Sequence, residues 1–495
     1  MPGGGSDDVT GYPRSPRPLM TGDLPAVRRI GVVGTGYLGA THAVCMAELG
    51  YEVVGLDTDA DKVRRLGAGE VPFFEPGLEE LLRKNLEAGR LSFTCDPAEV
   101  AGWADVHFIC VGTPQRAGDG AADMTYVDAA VETLIRAGLR PDALVVGKST
   151  VPAGSAERLA RRLAAGTGGT GPGGARTGEA APGGTGTGRA RTAQPAPGGV
   201  ELAWNPEFLR EGFAVDDTLR PDRLVFGVRP GGRGEAVLRA VYAPVIEAGT
   251  PVIVTDYATA ELVKVAANAF LATKISFINA MSEVCDAAGG DVTSLARALS
   301  HDARIGGRFL RPGIGFGGGC LPKDIRAFHA RAAELGAGPA LGFLAEVDRI
   351  NLRARERTVT LITRALGGRA EGRRITVLGA AFKPNSDDIR DSPALEISAE
   401  LHRAGARVVV YDPAAMANAR RRFPELEYAP SAHEAATGAD ALAVLTEWTE
   451  FRDLDPNALT PRVTGRVVVD GRHALDGPAW RQAGWAYYAL GRPPA

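Results

Sequence analysis

Lysine is scarce in this 495-residue chain: seven residues (Lys62, Lys84, Lys148, Lys264, Lys274, Lys323 and Lys383) among 56 basic ones, the rest arginine. Either each lysine stands where a compact ammonium is needed, or the seven are scattered survivors of base composition. Their distribution among motifs decides. Cysteine is sparse and odd in number (Cys45, Cys95, Cys110, Cys285, Cys320), which excludes a disulfide-built scaffold and suits a reduced, cytosolic protein. No apolar run reaches the roughly 18 residues of a membrane span. A net charge of −3 offers no basic field for nucleic acid or an anionic membrane. The first 27 residues lack the basic start and apolar stretch of a signal peptide. They read as a disordered tail, and a cytoplasmic location is the expectation.

What is present is a 45% apolar chain, enough for two to four packed domains. "RRIGVVGTGYLGATHAVCMAELGYEVVGLDTD" predicts strand, glycine loop, helix, strand. "VHFICVGTP" and "ALVVGKSTVP" are near-continuous apolar runs, as expected of strands buried on both faces of a parallel sheet. Residues 164–199 contain no aliphatic side chain larger than alanine, and the expectation is a disordered insertion. Residues 255–290 predict one helix, with Thr255 or Asp256 as cap and Gly289 as stop. Its length and apolarity predict burial between domains or subunits. A second α/β unit opens at "RRITVLGAAFKP", and Ser392 and Pro393 read as N-cap and N1 of its helix. The fold class is therefore α/β: two Rossmann-like doubly wound domains joined by a long central helix.

Gly34-Thr35-Gly36-Tyr37-Leu38-Gly39 is a GxGxxG between strand and helix, the place where a pyrophosphate meets a helix N-terminus. Asp57 ends the next strand, where a carboxylate bonds a ribose 2′-hydroxyl and favours NAD over NADP. The alternative is a tight turn in a nucleotide-free α/β domain. Thr113 and Thr150 follow apolar strands and either face a ligand or simply end a strand. Lys148 reads as a surface or pairing lysine. Glu207 and Glu211, four apart, share one face if helical; they are site carboxylates or a solvated stripe. Lys264 and Asn268 sit i, i+4 in an apolar helix, where an unpartnered ammonium is costly. They face a polar cavity and can stabilise an oxyanion, or form a structural salt bridge. Five glycines within residues 313–319 precede Cys320. Such a cluster surrenders backbone order, which makes sense where a ligand approaches the main chain and an exposed thiol beside Lys323 is partly thiolate. "GAAFKPNSDDIRDSPA" replaces the dinucleotide loop in the second unit, with Lys383 and Arg390 able to hold a nucleotide phosphate. Asp412 ends its second strand as Asp57 does in the first.

The strings "GTGYLG", "VPFFEPGLEELL", "CVGTP", "KSTVP", "NPEFLREG", "ELVKVAANAFLATKISFINAMSEVC", "GIGFGGGCLPKD", "AAFKPNSDDIRDSPAL", "TEWTEF" and "DGR" are collinear. With them the chain resembles the UDP-glucose/GDP-mannose dehydrogenases over residues 28–472, apart from the 164–199 insertion. The resemblance implies an NAD-binding Rossmann domain (28–250), a central dimerisation region with a cysteine loop (251–365) and a C-terminal UDP-sugar domain (366–490). It implies two NAD-dependent oxidations at C6 of UDP-glucose, through a Cys320 thiohemiacetal and thioester, in a homodimer or higher homo-oligomer without nucleic acid, membrane or metal. GDP-mannose or a UDP-N-acetylhexosamine as substrate, a non-catalytic nucleotide-sugar sensor, and a two-electron dehydrogenase in which Cys320 only packs remain alternatives.

Carried over by motif, Lys264 and Asn268 would stabilise charge on the C6 oxygen. Asp324 would position or activate water, assisted by Thr150 and Glu207. Gly34, Gly36, Tyr37, Leu38, Gly39, Asp57, Lys62, Thr113, Thr150, Glu211, Lys323 and Arg390 would contact NAD. Glu207, Lys264, Asn268, Gly313, Phe316, Gly317, Phe382, Lys383 and Arg472 would line the sugar-nucleotide site, with Arg304 reaching it from a neighbouring subunit. Five of the seven lysines, all but Lys62 and Lys84, fall in the quoted strings, which favours the functional reading. Trp204 departs from the family pattern, which leads one to expect a small polar residue before "NPEFLREG".

Overall fold

A computed structural model describes residues 25–116, 118–168 and 199–493. Most of the expected 1–27 tail, and the insertion from residue 169 to 198, lie outside the described residues. The apolar runs pair into two sheets. The first comprises β1 (Arg29–Val33), β2 (Glu52–Leu56), β3 (Leu91–Thr94), β4 (Val106–Ile109), β5 (Leu144–Gly147), β6 (Glu201–Trp204), β7 (Leu224–Gly227) and β8 (Val252–Thr255). Their order is β3-β2-β1-β4-β5-β6-β7-β8, and every pair is parallel except β6 with β7. β4 and β5 are buried throughout, as their uninterrupted apolar sequence requires. The second sheet comprises β9 (Arg374–Leu378), β10 (Arg407–Tyr411), β11 (Glu427–Tyr428), β12 (Ala441–Val444), β13 (Val467–Asp470) and β14 (Ala486–Tyr488), ordered β11-β10-β9-β12-β13-β14 and parallel.

Strand order reverses beside β1 in one sheet and beside β9 in the other, so the loop after each strand opens into the crevice where such sheets bind ligands. Between the sheets runs a 32-residue helix, Tyr257–Ala288, about 48 Å long at 1.5 Å per residue. Asp256 caps it by accepting from the Thr259 amide at 2.8 Å, and Gly289, at φ 75°, ends it. Ala269 and Ala272 of this helix pack with Phe316, Ile325, Leu344 and Val347. The helices Leu321–Glu334 and Phe343–Ala365 are thereby held against it. Only one side is covered: Phe270, Phe277 and Val284 stay exposed.

One boundary needs correction. Residues 164–167 are not part of a disordered segment; they finish the helix Ser155–Thr167, and Gly168 still donates to the Ala164 carbonyl at 3.0 Å. Buried Leu159 and Leu163 anchor the helix, and alanine propagates it past the last large aliphatic residue. The departure at Trp204 is absorbed next door. Gly147 pairs with it on β5, and the indole occupies the space a Cβ at Gly147 would need. Among the described residues no helix is long and apolar enough to cross a membrane.

Candidate active site

At the end of β1 the chain turns through Gly34 at φ +86°. Thr35 donates its amide (2.7 Å) and hydroxyl (3.0 Å) to Asp57 Oδ2, and Lys62 Nζ reaches the same oxygen at 3.0 Å. Burial works to raise the Asp57 pKa, but the Asp59 amide, Lys62 and Thr35 outweigh it and hold the carboxyl below its usual value. Asp57 Oδ1 accepts the Asp59 amide at 3.0 Å and keeps acceptor capacity for a ribose hydroxyl. A Cβ on Gly39 would lie 1.8 Å from the Gly34 carbonyl, so helix and loop are in contact; a Cβ on Gly36 would meet nothing within 4 Å. That open space beside loop amides is the shape of a pyrophosphate cradle, and these residues fit a dinucleotide. Tyr37 and Leu38 open the helix Tyr37–Glu48. The Tyr37 hydroxyl donates to buried Glu75, which also accepts the amides of Gly212 (2.6 Å) and Ala214 (2.7 Å).

A cluster of buried polar groups lies where the central helix meets the helix Leu321–Glu334. Lys264 and Asn268 are both buried, one turn apart. Lys264 Nζ stands 2.9 Å from Glu207 Oε1, and Asn268 Nδ2 donates to Asp324 Oδ2 at 2.7 Å. Lys323 pairs with the other Asp324 oxygen. Burial opposes the Lys264 charge, but Glu207, Cys320 and Asp324 more than offset it and raise the Lys264 pKa. Burial would likewise raise Glu207, yet Lys264, the Leu209 amide and Lys148 hold it below its ordinary value. The result is a desolvated, ionised pair.

Cys320 is the N-cap residue of its helix, and Asp324 sits in the first turn. Its surface opens to solvent, but the thiol is otherwise crowded by protein. Burial pushes its pKa up to about 11, with Lys264 pulling it down and Glu207 and Asp324 opposing. The expectation of a partly ionised thiolate is thus corrected: two carboxylates and desolvation outweigh the nearby cations.

The shared helical face for Glu207 and Glu211 is also corrected. Residues 205–210 form no helix; the chain runs irregularly from β6 to the helix Ala214–Leu219. The two carboxylates have different partners, Lys264 for Glu207 and the C-terminal unit for Glu211. Glu211 accepts from Ser386 Oγ at 3.1 Å and Arg390 Nη2 at 3.2 Å; burial and Asp388 push its pKa up to about 7 against Arg390 and Lys383. Thr113 Oγ1 donates to the Thr150 carbonyl at 2.8 Å, and both threonines border one cavity with Lys323 and Asp324. Lys148 is buried and not a surface residue; it donates to Asn205 Oδ1 (2.9 Å) and Tyr242 OH (3.2 Å), and burial brings its pKa down to about 8.

The glycine loop seats the C-terminal unit. Gly318 donates to the Arg390 carbonyl at 2.8 Å. Cβ atoms on Gly317, Gly318 and Gly319 would collide with the Asp391 carbonyl, the Phe382 ring and the Arg390 guanidinium. Arg472 donates to the carbonyls of Gly315 (2.9 Å) and Phe382 (3.3 Å) and lies against Gly313. Lys383 Nζ lies 5.3 Å from the centre of the Phe382 ring. Phe316 is held through its amide and carbonyl by Asn351 (2.7 and 3.0 Å). Arg304 does not join this cluster in its own chain; its side chain is 90% exposed and bonds Asp302. Asp412 mirrors Asp57 only in part. Its Oδ2 accepts the Ala380 and Ala381 amides (2.7 and 2.9 Å) and the Trp448 indole (3.1 Å), and Oδ1 the amides of Ala414 and Ala415, both at 2.9 Å.

Glu75, Glu261 and Asn351 escaped the sequence reading. Glu261 was detectable: it precedes Lys264 by three and Asn268 by seven residues, one stripe of a helix. Glu75 and Asn351 gave no such signal.

Residues 28–246 match the UDP-glucose/GDP-mannose dehydrogenase family NAD binding domain, 258–353 its central domain and 376–477 its UDP binding domain. The chain is 40% identical over 466 residues to a UDP-glucose 6-dehydrogenase of Rhizobium meliloti (94% of this chain, 100% of the relative). It is 40% identical over 473 residues to one of Pseudomonas aeruginosa (94% and 98%). A solved UDP-glucose dehydrogenase from Pyrobaculum islandicum superposes with TM-score 0.81 at 37% identity, covering 94% of this chain and 98% of the other. With a cofactor loop, a central-helix cluster and a cysteine loop all inside the matched segments, this chain belongs to the UDP-glucose/GDP-mannose dehydrogenase family and uses NAD.

Proposed function

We propose that the chain oxidises UDP-glucose at C6 to UDP-glucuronate, in two NAD-dependent steps joined by a covalent bond to Cys320. The observation that carries this is the convergence of a thiol, a buried ammonium, an amide and two carboxylates at one point between the two α/β units. We assign residues 28–250 to the cofactor half, 251–365 to the central region and 366–490 to the UDP-sugar half.

NAD, bound along the Gly34–Gly39 loop, supplies the hydride acceptor for each oxidation. Lys264 and Asn268 stabilise the C6 oxygen as the alcohol loses its proton and its hydride and becomes an aldehyde. The Cys320 thiol adds across the C=O bond: sulfur bonds to C6 and the thiol proton ends on the oxygen. Loss of the second hydride and of that proton leaves a thioester. Asp324, with Thr150 and Glu207 acting through water, orients and deprotonates the water that attacks the acyl carbon, expelling the thiol. One alcohol, one water and two NAD become one carboxylate, two NADH and three protons. Lys383, Arg472 and Phe382 line the UDP-sugar side with Gly313, Phe316 and Gly317. Lys62, Thr113, Glu211, Lys323 and Arg390 line the cofactor side. Two relatives at 40% identity are named for UDP-glucose, which supports that sugar over other nucleotide sugars.

A second copy of the chain covers the bare face of the central helix. Phe270, Phe277 and Val284, at 67%, 48% and 56% exposure, repeat every seven residues. Lys274 on the same helix holds the Arg304 loop by donating to the carbonyls of Ile305 (2.9 Å) and Gly306 (3.1 Å). In a homodimer the exposed Arg304 enters the partner's site.

NADH formed per limiting UDP-glucose tests the reading, with GDP-mannose and UDP-N-acetylglucosamine in parallel. Two NADH from UDP-glucose, falling to one with released aldehyde in Cys320→Ser, is the expected result. Two NADH from Cys320→Ser would remove the covalent step. Turnover of another sugar alone would replace the substrate.

A further inference from the structure

Thr150 precedes a turn, residues 151–154, that leads into the helix Ser155–Thr167. On one side Val151 packs into the core. On the other, the turn borders the cavity of about 280 Å³ that Thr113, Lys323 and Asp324 also line, so no side chain packs against that face of Pro152 and Ala153 to fix it. The helix is uncapped locally as well: its N-cap residue is Gly154, at φ 95°, with no side-chain bond.

Two side chains from elsewhere take over. Glu261, 2% exposed, accepts the Gly154 amide at Oε2 (2.7 Å) and the Ala156 amide at Oε1 (2.6 Å). Two of the free N–H groups at the helix start are satisfied this way, and the carboxylate meets the positive end of the helix dipole. Arg331 Nε and Nη2 donate to the Ala153 carbonyl at 3.0 and 2.8 Å. Neither residue is local. Glu261 stands one turn before Lys264 on the central helix, and Arg331 lies on the helix that begins at Cys320 and carries Asp324. Each helix that bears reacting groups thus sends one charged side chain to the Thr150 turn. A cap alone would need neither that origin nor the second tie to Ala153.

We propose that Glu261 and Arg331 are positioning residues that lock the Thr150 turn to the Lys264 and Cys320 helices and so hold Thr150 in register with Asp324. The proposal rests on the reading of Thr150 as a site residue. Glutamine at position 261 turns an N–H toward one of the two amides and loses that bond. Methionine at position 331 keeps the apolar stem and loses both donors.

The test is a set of double-mutant cycles: Glu261→Gln and Arg331→Met, each alone and with Thr150→Ala, assayed with saturating NAD and the nucleotide sugar that the wild-type protein oxidises. Each single variant should lower kcat about tenfold or more, as small misplacements at a reacting centre do, while KM changes little. In the Thr150→Ala background the same changes should cost less than about twofold, because coupled residues are not additive. Full loss persisting in that background overturns the proposal. So does a fall in Tm with kcat intact, which would mark a helix cap and nothing more. Should Glu261→Gln fail to fold, Arg331→Met decides by the same cycle. If Thr150→Ala alone keeps wild-type kcat, the site reading of Thr150 falls first, and the positioning role falls with it.

Discussion

Cys320 waits as a thiol. Its pKa is pushed up to about 11 by burial, so at neutral pH the protonated form dominates and reactivity toward alkylating agents follows the small thiolate fraction. That fraction grows tenfold with each pH unit below the pKa. Inactivation of the cofactor-free protein by iodoacetamide should therefore steepen about tenfold per unit from pH 7 to pH 10 without levelling. A plateau near pH 8 would mean a thiolate stabilised more strongly than these surroundings allow. Lys264 is the cation that acts on it most, and Lys264→Met should slow alkylation further at every pH. The lysine count already pointed at such residues, since an ammonium inside an apolar helix demands a partner. The partner's identity was not legible: Glu207 lies 57 residues earlier in the chain, in an irregular stretch between β6 and the next helix.

At the scale of elements, the two glycine loops differ in what a methyl group would do. Around Gly317 the space is taken: a Cβ would lie 2.1 Å from the Asp391 carbonyl and 2.7 Å from Pro393 Cδ, neither of which yields easily. Gly317→Ala should lower stability by about 1–3 kcal/mol through overpacking and reduce kcat more than tenfold by moving Cys320; Tm and kcat measured together check both. Around Gly36 the space is free. Gly36→Ala should leave Tm unchanged and raise KM for NAD, because the methyl group fills room needed by the pyrophosphate. Unchanged KM would mean the cofactor lies elsewhere. These elements were the most readable part of the sequence. The GxGxxG with Asp57, the Asp256 and Gly289 helix ends and the Ser392 cap are local signals that need no knowledge of the fold. Glu75, Glu261 and Asn351 act on backbone amides 137, 105 and 35 positions away, and only the folded chain brings those groups together.

For the molecule as a whole, residues 169–198 interrupt what is otherwise an ordinary parallel crossover from β5 through the helix Ser155–Thr167 to β6. Such helix-to-strand connections need about 2–6 residues. Gly199 is tied near the start of β5, since Arg233 Nη2 donates to the carbonyls of both Gly199 (3.4 Å) and Ala143 (2.8 Å). Replacing 169–198 with a four-residue Gly/Ser linker should keep kcat and Tm at their wild-type values; a loss of either, measured by NADH formation and thermal melting, would give the segment a role in the site or the fold.

The two halves share a strand order over six strands and a carboxylate at the same strand end, two places with the outline of a dinucleotide site. Their carboxylates are not equally free. Asp412 already receives five donors on its two oxygens. No lone pair is left there for the ribose hydroxyl that Asp57 can still accept. Calorimetric titration should accordingly count a single NAD per polypeptide, leaving the second half free to take a mononucleotide at the same time.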